Sequence, residues 1–140
     1  MTVSIESAQL GPLEVPEADL LHFPHGIPGF PAAHRFCLVQ VKPGSRFQLL
    51  QCVDDPGLAF VVTDPMLLDP DYPVNSVRSE ATALGLEADE PLAVAAIVTV
   101  PPAPERPTVN LLAPLALGGR SRRGVQVVLH DSPYPVRHAI

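Results

Sequence analysis

Apolar and polar residues alternate at the start of the chain, where Val3 and Ile5 are separated by Ser4 and flanked by Thr2 and Glu6. A period of two is typical of a β-strand that buries one face. Short apolar runs follow, each closed by Pro, Gly or Asp residues that favour turns. The sequence predicts further strands at 19–23, 35–41, 47–53, 58–63, 92–100, 108–117 and 124–130. The pattern therefore indicates eight or nine strands.

Helices have little room in this sequence, which contains 18 prolines and 9 glycines. Proline removes a backbone donor and blocks the interior of a helix. One short helix is predicted at 79–86, with Ser79 as its N-cap and Gly85 closing its last turn. We expect a mainly β chain, a single small antiparallel β-barrel-like domain over residues 1–140 with at most one or two short helices, because evenly spaced strands protect their edges by curling.

Location and redox state follow from the same composition. The longest uncharged run, 91–104, contains prolines and is too short to span a bilayer, so no membrane segment is predicted. The first basic residue is Arg35, and no secretory leader is recognisable. We therefore expect a cytoplasmic protein in which Cys37 and Cys52 are reduced and buried on neighbouring strands.

Charge is distributed unevenly along the chain, whose net charge is −6. Residues 54–90 contain nine acids and one base, whereas residues 106–140 contain five arginines and one acid. This predicts two electrostatic poles, which are either solvated loop surfaces or contacts for charged partners. The acidic balance argues against direct nucleic-acid binding, because that binding depends on neutralising phosphates.

Catalytic and metal-binding patterns are absent from the sequence. His22 and His25 are separated by Pro24, which disrupts the regular spacing of a metal pair. No serine lies in a G-x-S-x-G motif, and the 118–124 segment GGRSRRG matches neither phosphate-binding glycine motif, so we interpret it as a hairpin loop. We predict no catalytic residue, cofactor, metal or small-molecule substrate.

Two aromatic residues stand out in loops. Phe30 ends the Gly/Pro segment 26–30, where packing in the core is the alternative to an exposed role. Tyr72 lies among acids and prolines in the segment 69–73, a setting typical of an interface anchor, although a core position is equally open.

Several short segments are informative when they are taken in order: FPHGIPGF at 23–30, Leu50-Gln51, Leu58-Ala59-Phe60, Asp64-Pro65, Asp71-Tyr72, 108–111 (TVNL), Ala113-Pro114, Gln126, Tyr134, Arg137 and His138. Together they resemble the FliW family of flagellar assembly factors. These segments cover almost the whole chain. Cys52 and the arginine-rich loop at 118–124 depart from the family pattern, which leaves the roles of these arginines open.

The resemblance implies a non-enzymatic protein that binds the translational regulator CsrA and relieves its repression of flagellin mRNA. It also implies binding to flagellin, which couples flagellin synthesis to export. An acidic face would attract a basic RNA-binding regulator and repel RNA once docked. We expect seven residues to take part in partner binding: Phe30, Asp64, Asp69, Asp71, Tyr72, Asn75 and Asn110. The alternative is a small β-barrel enzyme or ligand carrier whose site is not recognisable.

Overall fold

Eleven β-strands and one α-helix make up the chain, which a computed structural model describes over residues 1–140. The strands are β1 (Thr2–Ser7), β2 (Gly11–Pro16), β3 (Leu21–His22), β4 (Arg35–Gln40), β5 (Phe47–Cys52), β6 (Ala59–Thr63), β7 (Leu92–Thr99), β8 (Thr108–Val109), β9 (Leu115–Gly118), β10 (Gly124–Gln126) and β11 (His138–Ala139). The helix α1 spans Val74–Ala83, and two single 3-10 turns span Glu17–Asp19 and Pro65–Leu67. The predicted mainly β class is confirmed.

One antiparallel sheet contains nine of the strands. Its main path is β10-β9-β7-β6-β5-β4-β3. The first half of β7 pairs with β9, whereas its end pairs with β8, which in turn pairs with β11. β1 and β2 form a separate hairpin with a regular register from Thr2–Pro16 to Ser7–Gly11. The alternation at the start of the chain correctly indicated this hairpin's first strand.

The two ends of the sheet approach each other without a continuous ladder. His22 on β3 forms an isolated parallel bridge with Arg123, and its N–H donates to the carbonyl of Arg122 at 2.8 Å. Arg122 has a left-handed backbone, with φ of 59°. A Cβ on Gly124 would lie 2.4 Å from the ring of Phe23, so glycine is required where the two ends meet. The sheet is strongly curled and barrel-like, but it is not closed.

The core occupies both faces of the sheet. On β7, Ala95 packs with Phe36 and Leu50 in one cluster, whereas Ala96 packs with Val77 of α1 in another. Neighbouring residues of a strand point to opposite faces, so these clusters lie on the two sides of the sheet. A third and smaller cluster joins the β1–β2 hairpin to β4. α1 is therefore fixed against one face by its apolar side.

The predicted helix at 79–86 has the wrong start. α1 begins at Val74, directly after Pro73, and Ser79 lies in its interior rather than at its N-cap. A proline next to the first turn costs no hydrogen bond, so the prolines upstream did not delay the helix. α1 ends at Ala83 rather than at 86, but the predicted role of Gly85 is confirmed, since Gly85 has φ of +113° and Leu86 N–H donates back to the carbonyl of Ala81.

The predicted strand at 108–117 is also wrong, because the structure divides it into β8 and β9. Asn110 lies at the break, and its Oδ1 accepts hydrogen bonds from the N–H groups of Leu112 (3.2 Å) and Ala113 (3.0 Å). A side chain that bonds to the backbone in this way replaces the ladder with a turn.

Both cysteines are free and buried, Cys37 on β4 and Cys52 on the neighbouring β5. Burial raises the pKa of the Cys37 thiol, with a smaller contribution from Cys52. This agrees with the prediction of buried, unpaired thiols. None of the helices is long and apolar enough to cross a membrane.

Candidate partner-binding site

An acidic groove of about 410 Å³ lies between α1 and the segment 129–134. We define it by the three carboxylates on its walls, Asp71, Glu80 and Asp131. All three residues are exposed, and no lysine or arginine lines the groove. The neighbouring His130 is the one titratable base on its walls. At neutral pH the groove therefore presents concentrated negative charge to solvent.

The loop before α1 is held in place by Asp69. Its Oδ1 accepts the N–H of Asp71 at 2.9 Å, and its Oδ2 accepts the hydroxyl of Tyr134 at 2.6 Å. These two bonds lower the pKa of Asp69, that from Tyr134 most. The same bond raises the pKa of Tyr134 to about 12, with a smaller effect of burial. Asp69 thus holds the loop in position through these two bonds. The side chain of Asp71 forms no such bond and lines the groove.

Tyr72 is a core residue, so of the two positions left open by the sequence the structure shows the buried one. Its side chain is only 3% exposed, and its ring lies 4.9 Å from that of Tyr134. Its hydroxyl donates to the buried carbonyl of Leu111 at 2.5 Å, and burial raises its pKa. A loop tyrosine buries when its hydroxyl finds an acceptor inside the protein. Any effect of Tyr72 on a partner must therefore act through the loop that it fixes.

The remaining predicted residues lie in different places. Asn75 is exposed at the start of α1, close to the acidic groove. Asp64 caps the 3-10 turn on another side of the helix, where its Oδ1 accepts the N–H of Met66 at 2.9 Å. Phe30 is 43% exposed and packs edge-on against Phe60, with ring centres 5.7 Å apart. The structure therefore groups Asp69, Asp71, Tyr72 and Asn75 but leaves Phe30, Asp64 and Asn110 apart from them; their binding roles stay predictions.

The arginine-rich loop between β9 and β10 contacts the acidic end of the segment 54–90. Arg120 forms ion pairs with Glu87 and, at 2.9 Å, with Asp89. The guanidinium of Arg122 donates to the carbonyl of Asp19 at 2.7 Å. The interpretation of two separate poles is wrong at this place, because the basic loop folds back onto part of the acidic segment. The carboxylates of the acidic groove take part in none of these ion pairs.

Glu90 is the centre of this contact, although no motif in the sequence distinguishes it from the neighbouring acids. It is only 1% exposed, and its carboxylate accepts three backbone N–H groups, from Glu87 (2.9 Å), Arg120 (3.0 Å) and Ser121 (2.8 Å). Burial alone would raise the pKa of Glu90, but the hydrogen bonds from Ser121, Glu87 and Arg120 outweigh it and lower the pKa to about 2. A Cβ on Gly118 would lie 2.5 Å from Oε1 of Glu90. The carboxylate therefore occupies the space that a side chain at position 118 would need.

Sequence reasoning missed Glu80, Asp131 and Tyr134 as members of the site. Glu80 and Asp131 are 51 residues apart, so no local spacing joins them. Tyr134 was noted only as part of the family resemblance. No group of three or more histidine, cysteine or acidic side chains is arranged to hold a metal ion. The arrangement can attract a basic partner by charge.

Comparison with known proteins gives consistent matches over the whole chain. The model of the family described as FliW protein matches residues 4–140. A flagellar assembly factor FliW of Caldanaerobacter subterraneus is 32% identical over 139 residues, covering 99% of this chain and 93% of the relative. One from Syntrophomonas wolfei is 36% identical over 138 residues, covering 99% and 88%.

A solved structure also matches this fold. The crystal structure of the flagellar assembly factor FliW superposes with a TM-score of 0.85 and 32% sequence identity. The match covers 97% of this chain and 95% of that one. The similarity in sequence and the similarity in structure therefore each extend over nearly the whole chain.

Proposed function

This chain belongs to the FliW family of flagellar assembly factors, and from that premise we propose that it binds the regulator CsrA and flagellin. In this proposal it relieves the repression of flagellin mRNA by CsrA and returns to flagellin when unexported flagellin accumulates in the cytoplasm. Its work is binding rather than catalysis. The observation that carries the proposal is the family match over residues 4–140.

The acidic groove supports the part of the proposal that concerns CsrA. A regulator that binds RNA needs positive charge around its RNA site. No lysine or arginine accompanies the exposed carboxylates of Asp71, Glu80 and Asp131 in the groove. A basic partner would therefore be attracted from a distance and oriented on arrival. Once bound, the same carboxylates would repel the phosphates of an approaching RNA.

The neutralised part of the acidic segment supports a division of roles. Arg120 compensates Glu87 and Asp89, and Glu90 is buried beneath the loop. Pairing with Arg120 neutralises part of the charge of Glu87 and Asp89, and the buried carboxylate of Glu90 is not accessible to a partner. The groove formed by Asp71, Glu80 and Asp131 lies next to the segment 129–134 and has no lysine or arginine among its lining residues. We therefore place the contact with CsrA at the acidic groove.

Affinity capture from the native cell tests the proposal. The tagged chain is recovered from cells in which flagellar export is active and from cells in which it is blocked. We expect CsrA to be the main companion during export and flagellin to replace it when export is blocked. Titration of the purified chain with purified CsrA and with purified flagellin is the control, because it distinguishes direct binding from capture through a third protein. Recovery of neither protein in either state, with no binding in titration, would contradict the proposal.

A further inference from the structure

A second groove, mainly apolar, lies apart from the acidic one. It has a volume of about 370 Å³, and nine of its twelve lining residues are hydrophobic. Met66 and Leu38 line it and are 43% and 36% exposed, so its walls reach the surface. Val62 and Leu117 lie among its buried lining residues. We call it the apolar groove.

We propose that the apolar groove receives the apolar face of an amphipathic helix whose polar flank carries a lysine or arginine beside Asp64. This inference rests on the proposed function, because the helix belongs to a protein partner of this chain. It adds a place and a chemical class of contact that the family match does not give. An exposed apolar groove beside a single charge is typical of helix recognition.

Strand pairing already engages the residues at the floor of the groove. Val62 on β6 pairs with Gln48 on one side and with Ile97 on the other. Leu117 on β9 pairs with Ala93 on β7. The floor therefore offers side chains to an occupant rather than a row of free backbone groups. A helix suits such a surface because it satisfies its own backbone hydrogen bonds.

The charge at the edge of the groove determines which side chains we expect on the polar flank of the helix. Asp64 is the one charged residue in the lining, and no lysine or arginine accompanies it. Its Oδ1 accepts the N–H of Met66, and Oδ2 has no hydrogen-bond partner. A basic side chain on the helix would pair with this free oxygen at the edge of the groove. The flexible thioether of Met66 would adapt to the side chains that enter beside it.

A designed peptide probes the groove directly. It is a fluorescein-labelled helix of about 20 residues with leucines on one face and lysines on the flank, long enough to hold its structure. Its companion has the same composition with the leucines distributed around the helix. We expect the amphipathic peptide to change anisotropy on titration with the chain, and the redistributed peptide to bind at least about tenfold more weakly. Equal binding of the two peptides, or none, would overturn the inference.

Three variants locate the peptide on the chain. Met66→Glu and Ala93→Glu each place a charge against the apolar face of the helix, and we expect each to weaken binding by about tenfold or more. Val100→Glu is the matched control, since Val100 is 62% exposed and lies outside the groove. Unchanged thermal unfolding shows that the variants are folded. If both groove variants bind the peptide like the control, the inference is wrong.

The variant Asp64→Asn isolates the charge without changing the shape. Its amide oxygen still accepts the N–H of Met66, so the 3-10 turn is preserved. We expect several-fold weaker binding of the lysine peptide and unchanged binding of a glutamine-flanked peptide. Equal loss for both peptides would contradict the assigned role of Asp64.

Titration with purified CsrA and flagellin separates this inference from the proposed function. If each protein has the same affinity for the native chain and for Met66→Glu, neither protein binds in the apolar groove. The inference then fails, while the proposed function stands. If the amphipathic peptide binds at the groove but neither protein binds the native chain, the proposed function fails and the site stands. We expect at least one of the two proteins to lose affinity with Met66→Glu.

Discussion

Replacing Glu90 with glutamine keeps the size of the side chain but exchanges one acceptor oxygen for an amide that only donates. In the native site both oxygens accept backbone N–H groups, Oε1 those of Arg120 and Ser121 and Oε2 that of Glu87. The amide of glutamine must therefore face at least one N–H group in a site that is 1% exposed. A buried donor then loses its acceptor, and the charge that strengthened the remaining bonds is gone.

The loss in stability can be worked from the pKa. The site lowers the pKa of Glu90 from an ordinary value of 4.5 to about 2. A shift of this size corresponds to about 3 kcal/mol of interaction with the charged form. Hydrogen bonds to a charged group contribute about 1.5–3 kcal/mol each, which agrees in scale. We expect Glu90→Gln to lower the free energy of unfolding by about 2–4 kcal/mol, roughly 10 °C in the unfolding temperature.

Urea unfolding at about pH 7 and thermal unfolding on acidification measure the effect. Because the folded pKa is depressed, the stabilisation is present above about pH 4.5 and is lost as the pH falls towards 2. Native chain and Glu90→Gln should therefore differ most at neutral pH and converge in acid. Glu87→Gln is the control: its side chain is 48% exposed and pairs with Arg120 at the surface, so we expect a loss of at most about 1 kcal/mol. Equal stability of the two variants at neutral pH would refute the reasoning.

Three further predictions concern the core and its thiols. Gly124→Ala pushes a methyl group against the ring of Phe23 and should lower the free energy of unfolding by about 1–3 kcal/mol in urea; no change would mean that the sheet ends are not in close contact. Tyr72→Phe removes a buried hydrogen bond and should lower stability by about 1–3 kcal/mol while the folded protein keeps its affinity for CsrA; lost affinity at full stability would restore an interface role. Cys37 and Cys52 should react with a thiol reagent only after unfolding, and rapid reaction in the native protein would contradict their burial.

Much of the sheet was predictable because its signal is local. The period of two at 2–7 and the short apolar runs before turns depend only on neighbouring residues, and they identified most strands. The break at Asn110 was not predictable in the same way, since it depends on which backbone groups its side chain reaches. The start of α1 was missed because prolines suggested a loop, although Pro73 is compatible with a helix start.

The site required contacts that no local pattern encodes. The acids at 69 and 71 are close in sequence and lie in one loop, but the burial of Tyr72 depends on a carbonyl 39 residues away, at Leu111. Likewise, Arg120 pairs with Glu87 across 33 residues, so charges from separate parts of the sequence neutralise each other in space. Counting charges along the chain therefore overstated the exposed acidic surface.

The central claim, that the acidic groove guides CsrA to this protein, is tested most directly by association rates in stopped flow. Asp71→Lys combined with Glu80→Lys reverses the charge at two of the three acidic positions of the groove. It leaves the hydrogen bond between Asp69 and Tyr134 in place. Glu6→Lys combined with Glu105→Lys makes the same change in net charge at exposed positions outside the groove. We predict that the groove variant associates with CsrA about tenfold more slowly than the control at low salt and that the difference shrinks as salt rises. Equal rates for the two variants at every salt concentration would contradict the claim.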